Sequence, residues 1–315
     1  MRILTVLIVG LLLSIPGTAA AAADDIPGSA TWYFHIDLAE MRSAEAGKGV
    51  YDWMSGEVFE DIKEETGVDI EQELDRLTAF SMEGQGPVFL FEGNVSQVSK
   101  DRLMTFVAAA GDLKALKASG NAYYRFNGRS GDSEAGDDDT DNDNIEIQFD
   151  SLQDESWISM GLKNKVLVTS SEEQMIDMLK NGGKIAGSRG HSGALVVLTA
   201  EKTLLQAGMN SAVMGDDGDS GWDSNILRNT EQVAFLVAAA KNKLAIEAQL
   251  ITAEAEMAQS LAAVARGLIS LTAFSDDMEA DAIAVLQGTK VEAKGKSLTI
   301  SLAIDPALLI STLND

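Results

Sequence analysis

Residues 163–179 read KNKVLVTSSEEQMIDML and residues 294–313 read KGKSLTISLAIDPALLISTL. In each, lysines bracket a short turn, an apolar run of strand length follows, and a small polar or proline signal opens a brief helix. Each phrase also closes a longer passage with the same order of elements. The order is strand, helix, strand pair, helix, strand pair, helix.

In the first passage, 31–38 (TWYFHIDL) reads as a buried strand. A helix carries Val50, Met54, Val58 and Ile62 at four-residue spacing. Gly67 is placed as its C-terminal glycine, and Asp69 with Gln72 as a cap for one further turn. Strands at 77–82 and 87–91 flank the turn EGQG, and the next helix sets Leu103, Phe106, Val107 and Ala110 on one face. Strands at 122–126, 145–149, 157–160 and 165–169 follow, then a helix through Met175, Ile176 and Leu179. In the second passage, ALVVLT at 194–199 is the opening strand and 202–214 the first helix. Strands at 232–239 and 244–251 pair around Lys241 and Asn242. Met257, Leu261, Val264, Leu268 and Leu271 build a clear amphipathic helix, expected to be the longest in the protein, with its apolar side toward the core. Strands at 291–293 and 297–304 pair next, and Pro306 opens a last helix.

Between the passages, 181–193 (NGGKIAGSRGHSG) has no apolar period and five glycines, so it reads as a connection. The expected organisation is an α+β chain of two tandem lobes, each a mainly antiparallel sheet with helices packed on one face. The first lobe spans 24–185 with an acidic insertion at 130–144, 186–193 connects, and the second lobe spans 194–315. Duplication of one lobe accounts for the repeated order.

Residues 1–23 read as a secretory leader. Arg2 precedes an apolar run over 3–15, Pro16 and Gly17 break it, and Ala19–Ala23 offer small-residue cleavage sites before Asp24 and Asp25. That run is short of the ~20 residues that cross a bilayer, and no later segment is long and apolar enough. The mature chain is therefore expected to be soluble, without a membrane span, in a bacterial periplasm or outside the cell. Lysine and arginine number 24 against 49 aspartates and glutamates, a net charge of −25, and cysteine is absent. Absence of cysteine excludes disulfides, thiolate metal sites and thiol nucleophiles. The acid excess argues against nucleic acid as a partner.

Chemistry-bearing patterns are sparse. SGDSEAGDDDTDNDN at 130–144 places Asp137, Asp139, Asp141 and Asp143 at the alternate spacing of calcium loops. Asn144 stands where such loops need glycine, and Asp150 where they need glutamate. A solvated acidic loop is the first reading and a calcium site the second. Gly218-Asp219-Ser220-Gly221 resembles the nucleophile region of chymotrypsin-like proteases, but neither His35 nor His191 has the context of a catalytic base. Gly131-Asp132-Ser133 echoes a lipase serine block without its preceding strand. Asp37, closing the first strand, reads as a helix cap. His35, beside Phe34 and Ile36, reads as packed, and His191 as exposed. The methionines read as core, while Trp222, within the acidic stretch 215–225, is a candidate contact residue. No phosphate-cradling loop, serine elbow or zinc-binding helix motif is present.

The leader, the strand end Ile36-Asp37-Leu38, the turn Thr66-Gly67-Val68-Asp69 and the hairpin rhythm resemble uncharacterised exported bacterial proteins of unknown function with two α+β lobes. That resemblance implies architecture and compartment, with no active-site residue. The functional expectation is a non-enzymatic protein, without a cofactor, that binds a protein partner or small ligand. A secreted hydrolase using carboxylates or a bound metal, and a carrier of an apolar ligand, are the alternatives.

Overall fold

The structure, a computed structural model, describes residues 30–128, 155–184, 193–205, 229–272 and 280–314. In chain order, β1 (Ala30–Asp37) leads into α1 (Leu38–Ser43) and α2 (Glu45–Met54), a π-helical turn Ser55–Phe59, α3 (Glu60–Thr66) and α4 (Ile70–Glu73). Then come β2 (Arg76–Met82), β3 (Val88–Glu92), α5 (Gln97–Ala110), β4 (Gly111–Ala118), β5 (Asn121–Gly128), β6 (Glu155–Ser159), β7 (Lys165–Thr169) and α6 (Glu172–Lys180). β8 (Ala194–Glu201), β9 (Thr230–Ala240), β10 (Lys243–Thr252), α7 (Ala255–Thr272), α8 (Ala280–Gln287), β11 (Lys290–Lys294), β12 (Ser297–Ile304) and α9 (Pro306–Asn314) complete the chain. The mixed helix and antiparallel sheet expected from the hairpin rhythm is the architecture found.

Local chemistry explains most element ends. Asp37 caps α1 by accepting from the Glu40 amide at 2.8 Å, and Ser96 caps α5 through the Ser99 amide at 3.1 Å. Ser171 caps α6 from the Gln174 amide, and Asp305 holds the Ala307 amide at the start of α9. Each short side chain replaces a backbone acceptor that the first helical turn lacks. Gly67 closes α3 with φ of 69°, a left-handed conformation that glycine adopts without steric cost.

The chain forms two compact units. The first gathers the described residues up to Val58, Asp75–Glu83 and those after Ala186; the second holds Phe59–Leu74 and the described part of Gly84–Ile185. The chain therefore passes between units somewhere between Lys184 and Gly193, and also at three earlier points that the sequence did not mark. β1, α1, α2 and β2, expected in a lobe with 84–185, lie in the unit that contains β8–β12.

In the first unit the sheet order is β11-β12-β10-β9-β8-β1-β2, antiparallel throughout. Tyr33 stands opposite Thr199 and His35 opposite Val197. Ile246 and Glu247 are adjacent on β10 and point to opposite faces, yet are only 1% and 8% exposed. The sheet is thus covered on both faces, not on one as the alternation suggested. In the second unit the order is β3-β7-β6-β5-β4. Adjacent Val166 and Leu167 are both buried there, as are Trp157 and Ile158, so this sheet is covered on both faces too. Helices over only one face would have left every second residue of these strands in water.

Candidate functional site

The longest helix, α7, carries the most unusual surface among the described residues. Ala258 and Ala262 are fully buried against Val291, Leu298 and Ile300, with Leu261, Ala265 and Ile269 packed at the margin. Small side chains let the helix backbone settle close to β11 and β12, where a leucine would hold it off. Turning the alanines inward rotates the larger residues outward. Val264, Leu268 and Leu271, at i, i+4 and i+7, are 58%, 58% and 72% exposed. They form one row along the helix. From Met257 to Thr272 the only charged residue is Arg266, whose Nη2 donates to the Val291 carbonyl at 2.7 Å. This face is apolar and free of acid in a chain of net charge −25. The expectation that Val264, Leu268 and Leu271 face the core is corrected by this packing.

In the second unit, α5 presents a related surface. Glu73 accepts from the Ser96 amide at 3.1 Å and the Ser99 hydroxyl at 2.8 Å, fixing the start of the helix. Ser99 is its only buried residue, and Phe106, expected on one face with Leu103, Val107 and Ala110, is 51% exposed with Val98 at 60%. Thr66, Val98, Asp101, Arg102, Thr105 and Phe106 line an open depression of about 460 Å³. Its polar groups already have partners. Arg102 Nη1 donates to the Gly67 carbonyl at 2.8 Å, Gln97 Nε2 donates to Asp101 at 2.8 Å, and Thr105 donates to the Asp101 carbonyl. What remains for a ligand is the apolar rim of Val98 and Phe106. The depression has no nucleophile beside a base.

The titratable groups singled out in the sequence have structural roles. His35 is 5% exposed, hydrogen-bonds Thr78 Oγ1 through Nδ1 at 2.9 Å and stacks on Tyr33 with ring centres 6.4 Å apart. Asp37 accepts from Arg76 Nε at 2.8 Å in addition to capping α1. Nearby, Arg42 donates to Asp75 at 2.6 Å and lies over the Tyr51 ring at 5.3 Å. These pairs bind the ends of β1 and β2 to α1 and α2. In the second unit, the Asp69 carboxylate, 2.7 Å from Lys63, holds the Lys63 ammonium above its usual value through a hydrogen bond and its charge. Lys63 in turn holds Asp69 below the usual carboxylate range. Tyr123 donates to Glu172 at 2.6 Å, and that bond, with burial, pushes its hydroxyl up to about 12. The Tyr123–Glu172 pair joins β5 to α6 and had no signature in the sequence, because its members lie 49 residues apart.

Among the described residues, no group of three or more histidine, aspartate or glutamate side chains is arranged to hold a metal ion. Asp137, Asp139, Asp141 and Asp143 lie outside the described residues, as do Ser133, His191, Ser220 and Trp222. Among the described residues no helix is long and apolar enough to cross a membrane.

No protein-family model matches this chain, and no curated protein matches it. Among solved structures, crystal form III of TP0453, a protein of the bacterium Treponema, aligns over 92% of this chain and 96% of its own, with 12% identity and a TM-score of 0.43. Crystal form IV aligns over 95% of this chain and 100% of its own at 12% identity, and form I over 92% and 95% at 13%, both with TM-scores of 0.43. The likeness is weak, and no residue role passes from TP0453 to this chain.

Proposed function

We propose that this chain is an exported, non-enzymatic binding protein that engages a partner through helix-borne apolar surface. The supporting observation is the row Val264, Leu268 and Leu271 on α7, exposed on a helix whose inward face is already filled by alanine. Contiguous apolar surface on a water-soluble protein marks contact sites more often than chance exposure does. Here the surrounding acid excess would keep the rest of the molecule apart from most partners. A photo-crosslinking side chain at position 268, introduced in the producing cell, should give a discrete adduct. The same group at Glu256 should not. Absence of an adduct at 268 in folded protein would overturn the reading. Export is tested separately by intact mass: a mature chain beginning at Asp24 supports it, and a retained Met1–Ala23 segment refutes it.

The proposal keeps the doubled α+β lobe. In the second unit β3 leads through α5 to strands that end in β7, which returns beside β3 and runs into the capped helix α6. In the first, β10 leads through α7 and α8 to the β11–β12 hairpin, and β12 returns beside β10 and runs into the capped helix α9. A second reading, carriage of an apolar ligand, draws on α5, which buries only Ser99 and leaves Leu103, Met104 and Val107 half-buried beside the depression. Saturable binding of a fluorescent fatty acid, lost in Phe106→Asp, would favour it. Binding unaffected by that change would exclude α5 as the site.

A further inference from the structure

The end strands of the two sheets differ in a way that points to self-association. The β4–β5 hairpin closes through Ser119 and Gly120, with φ of 51° and 81°, a two-residue turn of the type that matches strand twist. Ala118 and Asn121 therefore exchange both hydrogen bonds, and by alternation so do Leu116 with Tyr123, Lys114 with Arg125 and Asp112 with Asn127. The backbone groups of Leu113, Ala115 and Lys117 are left pointing outward from the terminal strand of the second unit's sheet, while Gly111 is buried.

The same counting on β11, the terminal strand of the first unit's sheet, starts from the pair Lys294–Ser297 and turns Val291 outward. That carbonyl is taken by Arg266 of α7 at 2.7 Å, so this edge is guarded. Its charges guard it as well: an antiparallel second copy centred on Glu292 would set Lys290 against Lys294. On β4, among the described residues, no group bonds the outward amides and carbonyls. Asp112 and Lys114, both exposed, are spaced so that the strand complements itself.

We propose that two copies of this chain join through β4, antiparallel about a two-fold axis at Leu113. Matching outward groups restricts the axis to a few positions, and charge selects among them. Centring on Asp112 sets aspartate against aspartate, and centring on Lys114 sets lysine against lysine. Centring on Ala115 sets Lys114 against Leu116 and forms no ion pair. Centring on Leu113 lets the two Leu113 backbones exchange both hydrogen bonds and sets Asp112 against Lys114 twice, in positions where side chains come closest. The strand carries two lysines and one aspartate, a local excess of positive charge in a chain of net charge −25. At ~0.15 M salt the repulsion between the remaining surfaces is screened beyond ~8 Å.

The test uses the purified chain, whose lack of cysteine leaves no background. Leu113→Cys places each sulfur opposite its own counterpart, across a Cα separation of ~5.5 Å that a disulfide spans. Air oxidation should yield a covalent dimer, and Lys117→Cys should not. Leu113→Pro removes the outward amide at the axis while sparing every β4–β5 bond, so it should sediment as a folded monomer where the parent sediments as a dimer. Asp112→Lys opposes lysine to lysine twice and should weaken the dimer about tenfold, and the double exchange Asp112→Lys with Lys114→Asp should restore it. A parent chain that is monomeric at ~100 µM, or Leu113→Cys crosslinking no better than Lys117→Cys, would overturn the proposal.

Discussion

Three glycines within one helical run should respond oppositely to the same substitution. A Cβ on Gly47 of α2 would lie 2.7 Å from the Met41 carbonyl oxygen and 2.8 Å from its Cα, both backbone atoms of α1. On Gly49 the nearest atoms are Pro306 Cβ at 3.5 Å and Ile310 Cδ1 at 3.8 Å, ordinary contact distances. On Gly56 nothing lies within 4 Å. Alanine in place of an unhindered helical glycine stabilises by about 0.5–1 kcal/mol, because the unfolded chain loses freedom. At Gly47 the backbone of Met41, itself buried, would have to retreat by nearly an ångström, and overpacking of that kind costs about 1–3 kcal/mol. The expected order in denaturant melts is therefore Gly49→Ala and Gly56→Ala at or above the parent, and Gly47→Ala about 1–2 kcal/mol below it. In a chain of this size that deficit is about 1.5–3 °C in melting temperature. Equal stabilisation by all three would refute the close approach of α1 to α2.

Tyr123→Phe should lose about 1.5–3 kcal/mol, the range for a hydrogen bond to a charged group. Because the folded hydroxyl is raised to about 12, above its unfolded value near 10, its contribution is complete below pH ~10 and fades as pH rises through ~12. The stability gap to the parent should stay constant from pH 7 to 10 and then narrow; a gap that widens above pH 10 contradicts the assignment. Asp37→Ala should cost about 2–3 kcal/mol by removing a cap and the acceptor of Arg76, while Asp37→Asn, which keeps the cap oxygen, should cost about half as much. Equal costs would show that the cap contributes nothing. The melting temperature should rise between 10 mM and 0.5 M salt as repulsion within a chain of net charge −25 is screened, and an unchanged midpoint would place the acids where they do not repel one another.

What could be read along the chain was whatever depends on near neighbours. The strands at 194–199 and 244–251, the C-terminal glycine Gly67, the cap at Asp69 and the helix opening at Pro306 follow from local apolarity, sterics and hydrogen bonding, and the structure contains each of them. β4 was missed because GDLKALKA at 111–118 lies at the rim of a sheet, where little apolar surface need be buried. α8 was missed because it has no buried residue to impose a helical period.

The sequence by itself determined the mixed class, most of the elements and the caps that start and stop several of them, since these are settled within a few residues. Only the tertiary structure decided that β1 joins β8, that both sheets are covered on two faces and that Tyr123 meets Glu172. It also decided which side of α7 turns inward. Apolar residues lie on more than one side of this helix, so hydrophobicity alone does not orient it; close approach selected Ala258 and Ala262 and left Val264, Leu268 and Leu271 to the outside.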